Sequence, residues 1–262
     1  MSSWHFRLAR TSWERLARRD PLWAVLTDPS KRDGRWDRDE FFATGEREIA
    51  GIETHLQSQG IQLADRALAL DFGCGVGRLT RALARRFDEV HGVDVSPTMI
   101  RRAGELNADA PGKLRFVLNP EPHLGQLETG RYSFVYSSIV LQHVPYPVSL
   151  AYVREFLRLV RSGGLIVFQT PTLDRTGLIR RTVRAVARRI VQVGRLPIPA
   201  LQMEMHAIPE GEIRRAAKVA GCDILDVAFT GSAMSDSGGT VELYRDDRGD
   251  RLVSKLFVLR KR

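Results

Sequence analysis

The central part of the chain alternates short apolar runs with longer stretches of helical periodicity. The runs typical of β-strands are Ala67–Phe72, Val90–Val95, Leu114–Leu118, Tyr132–Ser137 and Leu165–Thr170. Helical patterns separate them at about 77–87, 97–107 and 148–161. Because strands that alternate with helices form parallel sheets, the pattern predicts an α/β fold.

The C-terminal part adds one helix and two strands. The helical pattern of Glu210–Ala220 ends at Gly221, and the runs Ile224–Phe229 and Leu252–Arg260 are typical of strands joined by a long polar loop. We expect these two strands to pair antiparallel at the edge of the sheet. Together the patterns predict a doubly wound, mostly parallel sheet of seven strands.

Residues 1–60 have the pattern of helices broken by turns, and we call them the N-terminal cap; residues 61–262 form the predicted main domain. Helix starts are indicated by the capping-box spacings of Thr11 with Glu14 and of Asp37 with Glu40, and by Asp20 before Pro21. All four tryptophans, at positions 4, 13, 23 and 36, lie in the cap, which predicts that it packs onto the main domain. A second interpretation is a lid over a binding cleft, with residues 41–45 leading into a helix near Glu46.

An insertion at 172–208 follows the fifth predicted strand. Apolar residues recur there at helical spacing, and arginines line another face: Ile179, Val183, Val186, Ile190 and Val193, with Arg181, Arg184 and Arg188. The pattern predicts a basic amphipathic helix. A helix packed on the core with a solvated arginine face is the favoured interpretation. The alternatives are a substrate lid, a homodimer contact, or a peripheral surface for anionic lipid or a large anionic substrate.

Composition limits the class of protein. The chain has 262 residues, of which 43% are hydrophobic and 27% charged, which excludes a disordered or fibrous protein. The net charge of +9 favours anionic partners but says nothing of the fold. Two cysteines, Cys74 and Cys222, imply no disulfide framework and favour a reducing compartment. Without an apolar leader or a stretch long enough to span a bilayer, we expect a soluble cytoplasmic protein.

A glycine-rich turn follows the first predicted strand, in residues 71–78 with the sequence DFGCGVGR. Glycines at alternate positions let the backbone approach a ligand closely, because no Cβ stands in the way. The dinucleotide fingerprint requires a third glycine where Arg78 stands, so the turn does not match it. Asp71 would repel a pyrophosphate but suits a cationic group such as an ammonium.

A second acidic residue, Asp94, ends the next predicted strand. A carboxylate at this place can accept hydrogen bonds from both hydroxyls of a ribose. A helix-capping role is the alternative for a lone acidic residue after a strand. Together with the glycine turn, its position favours a nucleoside ligand.

The segment from about Ala67 to Thr170 resembles a class I S-adenosylmethionine-dependent methyltransferase of the small-molecule type. The resemblance rests on the glycine turn, on Asp94, on Asn119-Pro120 after the third strand, on Tyr132–Val144 at the fourth, and on residues 159–165, with the sequence LVRSGGL, before the fifth. It implies a Rossmann-like sheet and S-adenosylmethionine as cofactor, with S-adenosylhomocysteine as product.

The resemblance also implies which residues hold the cofactor. Gly73, Gly75 and Gly77 would flank its methionine part, Asp71 would orient that part, and Asp94 would hold the ribose. The adenine would be framed by Val95, Met99 and Asn119, although Asp is frequent in the family near Asn119. Cys74, Pro120 and Ser137 complete the predicted set.

His143, after the fourth strand, is the candidate general base, because an imidazole titrates near neutrality. The alternative is a structural histidine that bonds backbone and holds Gln142. The surrounding sequence contains neither the Asn-Pro-Pro-Tyr type motif used on exocyclic base amines nor a Pro-Cys nucleophile. This counts against a nucleic acid substrate.

Further polar residues could reach an acceptor pocket. Glu204 and His206 share a face if their segment is extended, and they are candidate catalytic residues, with a plain loop as the alternative. The flexible loop 235–239 could reach the pocket mouth. Asp236, Asp246 and Asp247 could help bind a divalent metal, but their spacing is equally typical of solvated turns, so both alternatives stay open.

We expect methyl transfer to a hydroxyl of a small or glycan-like metabolite, because His143 and the polar acceptor-side residues favour oxygen. Sugar O-methyltransferases of actinobacterial glycan and natural-product pathways look similar, so the expected partner is a small molecule or an oligosaccharide. One alternative is N- or O-methylation of an amine or a quinone-type ring. An RNA methyltransferase and a non-catalytic S-adenosylmethionine-binding protein are further alternatives.

Overall fold

The computed structural model describes residues 2–175, 205–231 and 242–262. Its strands are β1 Leu68–Phe72, β2 Glu89–Asp94, β3 Lys113–Leu118, β4 Tyr132–Ser137, β5 Val160–Asp174, β6 Cys222–Thr230, β7 Leu243–Tyr244 and β8 Leu252–Lys261. Its helices are α1 Ser2–Arg19, α2 Pro21–Val25, α3 Arg38–Ser58, α4 Arg78–Leu83, α5 Pro97–Leu106, α6 Val148–Leu159 and α7 Glu210–Val219. Short 3₁₀ turns lie at Pro29–Lys31 and Leu141–His143.

The described strands form one sheet in the order β3-β2-β1-β4-β5-β8-β6-β7. The first five are parallel, and β8 pairs antiparallel with both β5 and β6. The predicted count of seven strands is wrong, because the two-residue strand β7 adds an eighth on β6. The predicted antiparallel pairing of the last two long strands is confirmed. Their place at the edge is wrong for β8, since it lies between β5 and β6.

The order of the strands reverses between β1 and β4, which are neighbours in the sheet. The chain leaves β1 toward β2 on one side and reaches β4 on the other. In an open α/β sheet, a crevice opens at the carboxyl ends of two such strands, and ligands bind there. The fold therefore places the glycine turn after β1 and the segment after β4 on opposite walls of one crevice.

Helix-capping residues define two of the three helix starts predicted in the N-terminal cap. Asp20 accepts a hydrogen bond from the backbone of Trp23 before α2, and Asp37 accepts one from Glu40 before α3. The start at Thr11 is wrong, because Thr11 lies inside α1 and its hydroxyl donates to the carbonyl of Arg7. Helix α3 also begins at Arg38, more than two turns before the predicted start near Glu46.

Two apolar clusters pack on the two faces of the sheet, and a third joins the N-terminal cap to the main domain. In this third cluster, cap residues such as Leu16 and Phe41 meet Val76 of the glycine turn and Met99 of α5. The cap is thereby docked beside the crevice.

The structure bears on the predicted insertion only at its ends. Strand β5 continues to Asp174, four residues past its predicted end and into the predicted insertion. The predicted basic helix lies outside the described residues. None of the helices in the described ranges is both long and apolar enough to cross a membrane.

Candidate functional site

A cavity opens at the reversal point of the sheet and, with its open mouth, encloses about 1040 Å³. Glycine-turn residues, the ends of β2 and β3, the segment after β4, and helices α1, α2 and α6 all contribute to its wall. The crevice expected from the strand order is therefore closed on one side by the N-terminal cap.

Gly73 and Gly75 line the cavity, and neither position can carry a side chain. Both have left-handed backbone conformations, with φ of +76° and +54°. A Cβ on Gly73 would lie 2.3 Å from Val140 Cγ2, and one on Gly75 would lie 2.4 Å from Val25 Cγ2. The turn thus meets the segment after β4 and helix α2 through bare backbone, and its predicted close approach to a ligand stays a prediction.

Gly77 has a different place in the same turn. It is not among the lining residues, and it directly precedes α4 with φ of +85°. A Cβ there would lie 2.6 Å from Asn107 Nδ2. The structure therefore explains this glycine by the packing of α4, and its predicted contact with the cofactor stays a prediction.

Asp71 is buried beneath the turn and does not line the cavity. Its carboxyl accepts a hydrogen bond of 2.6 Å from the Thr80 hydroxyl of α4. Burial raises the pKa of Asp71 to about 7, against the lowering effect of Thr80 and the Arg78 charge. The predicted orienting role of Asp71 toward the cofactor stays a prediction.

Asp94 lies where the sequence predicts a ribose-binding acid. It lines the cavity at the end of β2, and its carboxylate accepts hydrogen bonds from the backbone N–H groups of Gly75 (2.9 Å) and Ser96 (2.8 Å). Burial raises the pKa of Asp94, while these backbone donors lower it. The carboxylate therefore ties the glycine turn to the start of α5.

Four other predicted cofactor residues, Cys74, Val95, Met99 and Asn119, line the cavity. Burial raises the pKa of the Cys74 thiol well above its usual value, so the thiol is a protonated, nearly apolar part of the wall. The Asn119 amide is engaged by its own loop, since it donates to the carbonyl of Glu121 (2.9 Å) and accepts from Gln126 (3.3 Å).

Besides Asp71 and Gly77, two further predicted cofactor residues are not among the lining residues. Pro120 accepts a hydrogen bond of 3.3 Å from Arg10 through its carbonyl. The hydroxyl of Ser137 donates to the carbonyl of Phe72 at 3.2 Å. These contacts tie both residues to the walls of the crevice, and Ser138, next to Ser137, lines the cavity instead.

His143 lines the cavity at the end of the 3₁₀ turn after β4. Its ring meets the ring of Trp13 edge-on, with centroids 5.0 Å apart. The Gln142 side-chain amide lies 3.1 Å from His143 Nε2. The backbone of His206 donates a 2.6 Å hydrogen bond to the carbonyl of Gln142, so the structure brings the two predicted histidines into one region. Glu204 lies outside the described residues.

Helix α1 supplies a wall that sequence reasoning missed. Phe6, Ala9, Arg10 and Trp13 of α1 line the cavity, with Ala24 and Val25 of α2. The cap was expected to pack onto the main domain or to act as a lid over a binding cleft, but none of these lining residues was predicted individually. Arg78 and Ser138 were also missed, although both lie beside predicted residues.

Glu14 holds α1 against the start of α5. Its carboxylate accepts hydrogen bonds from the hydroxyls of Ser96 (2.6 Å) and Thr98 (2.7 Å) at the start of α5. Although burial raises the pKa of Glu14, these bonds and Arg18 lower it to about 2. The carboxylate is therefore ionised at neutral pH and lies at a helix N-terminus, where negative charge is stabilised.

Metal-binding side chains do not cluster in the described ranges: no group of three or more His, Cys, Asp or Glu residues there could hold an ion. Asp247, one of the candidate acids, pairs with Arg175. Asp236 and the loop 235–239 lie outside the described residues.

Sequence comparison finds a methyltransferase domain and relatives that include ubiquinone biosynthesis O-methyltransferases. Residues 69–164 match a family described as a methyltransferase domain. The chain is 33% identical over 101 residues to a ubiquinone biosynthesis O-methyltransferase of Bordetella avium (strain 197N), over 38% of this chain and 41% of that protein. It is 29% identical over 110 residues to one of Xanthomonas oryzae pv. oryzae (strain PXO99A), over 42% and 44%. The chain therefore spans about two fifths of the length of these curated relatives.

Solved structures share the fold at low identity. Magnesium protoporphyrin IX methyltransferase from Synechocystis PCC 6803, with bound S-adenosylhomocysteine, has a TM-score of 0.55 at 18% identity, over 88% of this chain and 91% of that one. A SAM-dependent methyltransferase from Leishmania major has a TM-score of 0.60 at 13% identity, over 98% and 83%. Both structural likenesses cover far more of the chain than the matched residues 69–164.

Proposed function

We propose that this chain, whose residues 69–164 are an S-adenosylmethionine-dependent methyltransferase domain, methylates an oxygen of a small ring compound of phenol or quinol type. The observation that carries the proposal is the wall around His143. The cavity that His143 lines is walled largely by apolar and aromatic side chains, with Arg10, Asn119 and Ser138 as polar members; the apolar ones include Phe6, Trp13, Ile139, Val140, Val144, Pro145 and Tyr152. Such a wall suits the faces of a planar ring.

A sugar acceptor fits this wall less well. A sugar carries hydroxyls around its ring, and each loses water on binding and requires a polar partner. The curated relatives are named for ubiquinone biosynthesis, which agrees with the quinone-type alternative and gives the sugar expectation no support. Two observations of different kinds therefore favour a ring with few polar atoms.

The other half of the cavity fits the cofactor. Asp94 is placed to accept hydrogen bonds from ribose hydroxyls, the bare backbone of Gly73 and Gly75 admits the methionine part, and Val95 and Met99 offer apolar contacts to the adenine. Arg78, which also lines the cavity, has a buried Nε without a hydrogen-bond partner among the described residues. The cofactor supplies a methyl group on a sulfonium sulfur, and the chain has to align the acceptor, exclude water and remove a proton.

His143 is the residue that we assign to the proton. An amide nitrogen only donates hydrogen bonds, so the contact with Gln142 makes His143 Nε2 the acceptor atom of the ring. An acceptor hydroxyl that replaces Gln142 at this nitrogen can give up its proton to Nε2 as its oxygen takes the methyl group. Trp13 holds the ring edge-on and shields it from water.

The test is transfer of label from S-adenosylmethionine carrying a radioactive methyl group. The purified chain is offered catechols and hydroquinols, mono- and oligosaccharides, small amines, and total RNA in separate reactions. Label on phenolic oxygen supports the proposal. Label only on sugars, amines or RNA, or no label from any of the four despite cofactor binding, overturns it.

A pair of variants tests the assigned base. His143→Ala should abolish transfer and keep S-adenosylhomocysteine affinity, because the ring lies on the acceptor side. His123→Ala is the matched control, since His123 is outside the cavity wall and bonds only the backbone of Gly125 in the described contacts. Equal loss of cofactor affinity and transfer in His143→Ala would instead show a structural histidine.

A further inference from the structure

The segment after β4 contains a residue in an unusual backbone conformation. Ile139, which lines the cavity, has φ of +62°. For a β-branched side chain this left-handed conformation is an outlier, because the Cβ comes too close to the following carbonyl oxygen. Such a conformation costs free energy and persists only where the surrounding structure holds it.

Gln169 of β5 provides the contact that holds Ile139. Pairing of β4 with β5 ends at Ser137 and Phe168, so Gln169 is the first residue of β5 beyond the last pair. Its side-chain oxygen accepts a hydrogen bond of 3.1 Å from the backbone N–H of Ile139. Gln169 is only 2% exposed, and a buried amide requires a partner within the protein. Its side chain thus continues a connection between the two strands that the backbone no longer makes.

The contact lies at the start of the turn that carries His143. Ile139 is followed by Val140 and by the 3₁₀ turn Leu141–His143. The backbone N–H of His143 donates to the carbonyl of Val140 at 2.9 Å, and the Leu141 side chain is fully buried in the core. Because these residues form one short unit, a change of φ at Ile139 would displace the His143 ring.

We propose that Gln169 is a positioning residue: by holding Ile139 in its left-handed conformation, it places the His143 ring at the cavity. This inference rests on the proposed function for the role of His143 as a base. Gln169 is not among the lining residues, so it acts through the backbone of Ile139 and not by contact with acceptor or cofactor. Proton transfer requires hydrogen-bond geometry, and a misplacement of about 1 Å can cost roughly 100-fold in rate.

Two substitutions of Gln169 test the contact. Gln169→Met keeps the size of the side chain but has no amide oxygen, and Gln169→Asn keeps the amide but is one carbon shorter. Ser133→Ala is the matched control, because the buried Ser133 hydroxyl lies near the other end of β4, donates to the Leu68 carbonyl at 2.9 Å and accepts from the Leu68 N–H at 3.0 Å. All three changes remove a buried bond between a side chain and the backbone, but only those at Gln169 touch the turn.

The first measurement requires no methyl transfer. The imidazole carbon–proton signal of His143 is identified in NMR spectra by its absence in His143→Ala. Because the Trp13 ring lies edge-on with its centroid 5.0 Å away, its ring current makes this signal sensitive to small displacements. Both Gln169 variants should shift or split the signal, whereas Ser133→Ala should leave it in place. An unchanged signal in the folded Gln169 variants overturns the proposal.

The second measurement is methyl transfer to the acceptor found in the labelling experiment. We expect kcat to fall roughly 10- to 100-fold in both Gln169 variants, while the dissociation constant of S-adenosylhomocysteine keeps its parent value. Ser133→Ala should lower the free energy of unfolding and keep kcat. A loss of cofactor affinity as large as the loss of kcat would show a general disturbance of the site and contradict a positioning role.

Glycine at position 139 separates the conformational role from a merely structural bond. Glycine adopts the left-handed region about as readily as the right-handed one, so the turn should depend less on Gln169 when Ile139 is replaced. Gln169→Met should therefore lower kcat and shift the His143 signal less in the Ile139→Gly background than in the parent chain. Equal effects in the two backgrounds overturn the proposal.

The outcomes distinguish this inference from the proposed function. If the parent chain methylates none of the acceptors, the proposed function fails, and the NMR comparison still decides whether Gln169 places the ring. If neither Gln169 variant folds, hydrogen exchange in the parent chain decides. Slow exchange of the Ile139 N–H then supports the proposal, and exchange as fast as that of an unprotected amide overturns it.

Discussion

Replacement of Glu14 by glutamine tests whether a single carboxylate holds α1 on the cofactor-binding half. Glu14 accepts hydrogen bonds from the Ser96 hydroxyl (2.6 Å), the Thr98 hydroxyl (2.7 Å) and the Thr98 backbone (3.3 Å). Glutamine keeps the length of the side chain and removes its charge. The substitution therefore weakens these bonds without opening a cavity.

The pKa of Glu14 sets the size of the effect. Burial raises this pKa, but the bonds from Ser96, Thr98 and Arg18 lower it from 4.5 to about 2. At about 1.4 kcal/mol per pKa unit, the change corresponds to about 3 kcal/mol of folding free energy. The Glu14 side chain is 15% exposed and that of Arg18 72% exposed, so solvent screening reduces this figure, and we expect about 2 kcal/mol at pH 7.

The direction of the pH dependence follows from the lowered pKa. Ionised Glu14 stabilises the folded chain fully above pH 4.5, and this contribution is lost as the pH falls toward about 2. The free energies of unfolding of the parent chain and of Glu14→Gln should therefore differ at pH 7 and converge at acidic pH.

Urea denaturation at pH 7 and at pH 3, followed by tryptophan fluorescence, measures this difference. All four tryptophans lie in residues 1–60, so the fluorescence reports the N-terminal cap. Glu105→Gln on α5 is the control and should leave the transition unchanged, because Glu105 pairs only with exposed arginines among the described contacts. A Glu14→Gln transition that coincides with that of the parent chain at pH 7, or a difference that does not shrink at pH 3, would refute the reasoning.

Three further substitutions test the site. Burial raises the pKa of Asp71 to about 7, so ionisation of this carboxyl destabilises the fold as the pH rises through 7. Asp71→Asn should therefore have a higher free energy of unfolding than the parent chain at pH 8 in urea denaturation. This difference should vanish by pH 4. Gly73→Ala should lower the free energy of unfolding by about 2–4 kcal/mol and abolish S-adenosylhomocysteine binding in calorimetry. Gly130 is the control, since it has φ of +65° but no atom near its Cβ position; Gly130→Ala should lower the free energy of unfolding by about 1 kcal/mol and keep the binding. Glu48→Ala should lower the free energy of unfolding by about 3–5 kcal/mol, because it leaves Arg78 charged, buried and unpaired.

Local sequence was sufficient for the central sheet and for the place of the glycine turn and Asp94 at the cavity. Strand β4 has the predicted bounds, and β1, β2 and β3 start or end within a residue of their predicted limits. A buried parallel strand is a continuous apolar run, and a close backbone approach requires glycine, so both are visible over a few neighbouring residues. For the same reason Asp94 lies at the cavity, as its position after β2 predicts.

Features that depend on distant parts of the chain were not predictable in this way. The spacing of Thr11 and Glu14 resembles a capping box, but Glu14 instead bonds residues of α5 far along the chain. Strand β8 takes an interior place because it pairs with β5 and β6 on its two sides, and an apolar run does not show its neighbours. The two-residue strand β7 has no pattern to detect.

The cavity wall includes residues inside and outside the family match. The family match covers residues 69–164, which include the glycine turn, Asp94 and His143. Phe6, Trp13 and Val25, which face the acceptor side and the turn from the N-terminal cap, lie outside that match. The proposed acceptor wall thus draws on both parts of the chain: Ile139, Val140, Val144, Pro145 and Tyr152 lie inside the matched domain, and Phe6 and Trp13 come from the N-terminal cap. The apolar character of those cap residues, more than the names of the relatives, is therefore the stronger argument for a ring-shaped acceptor.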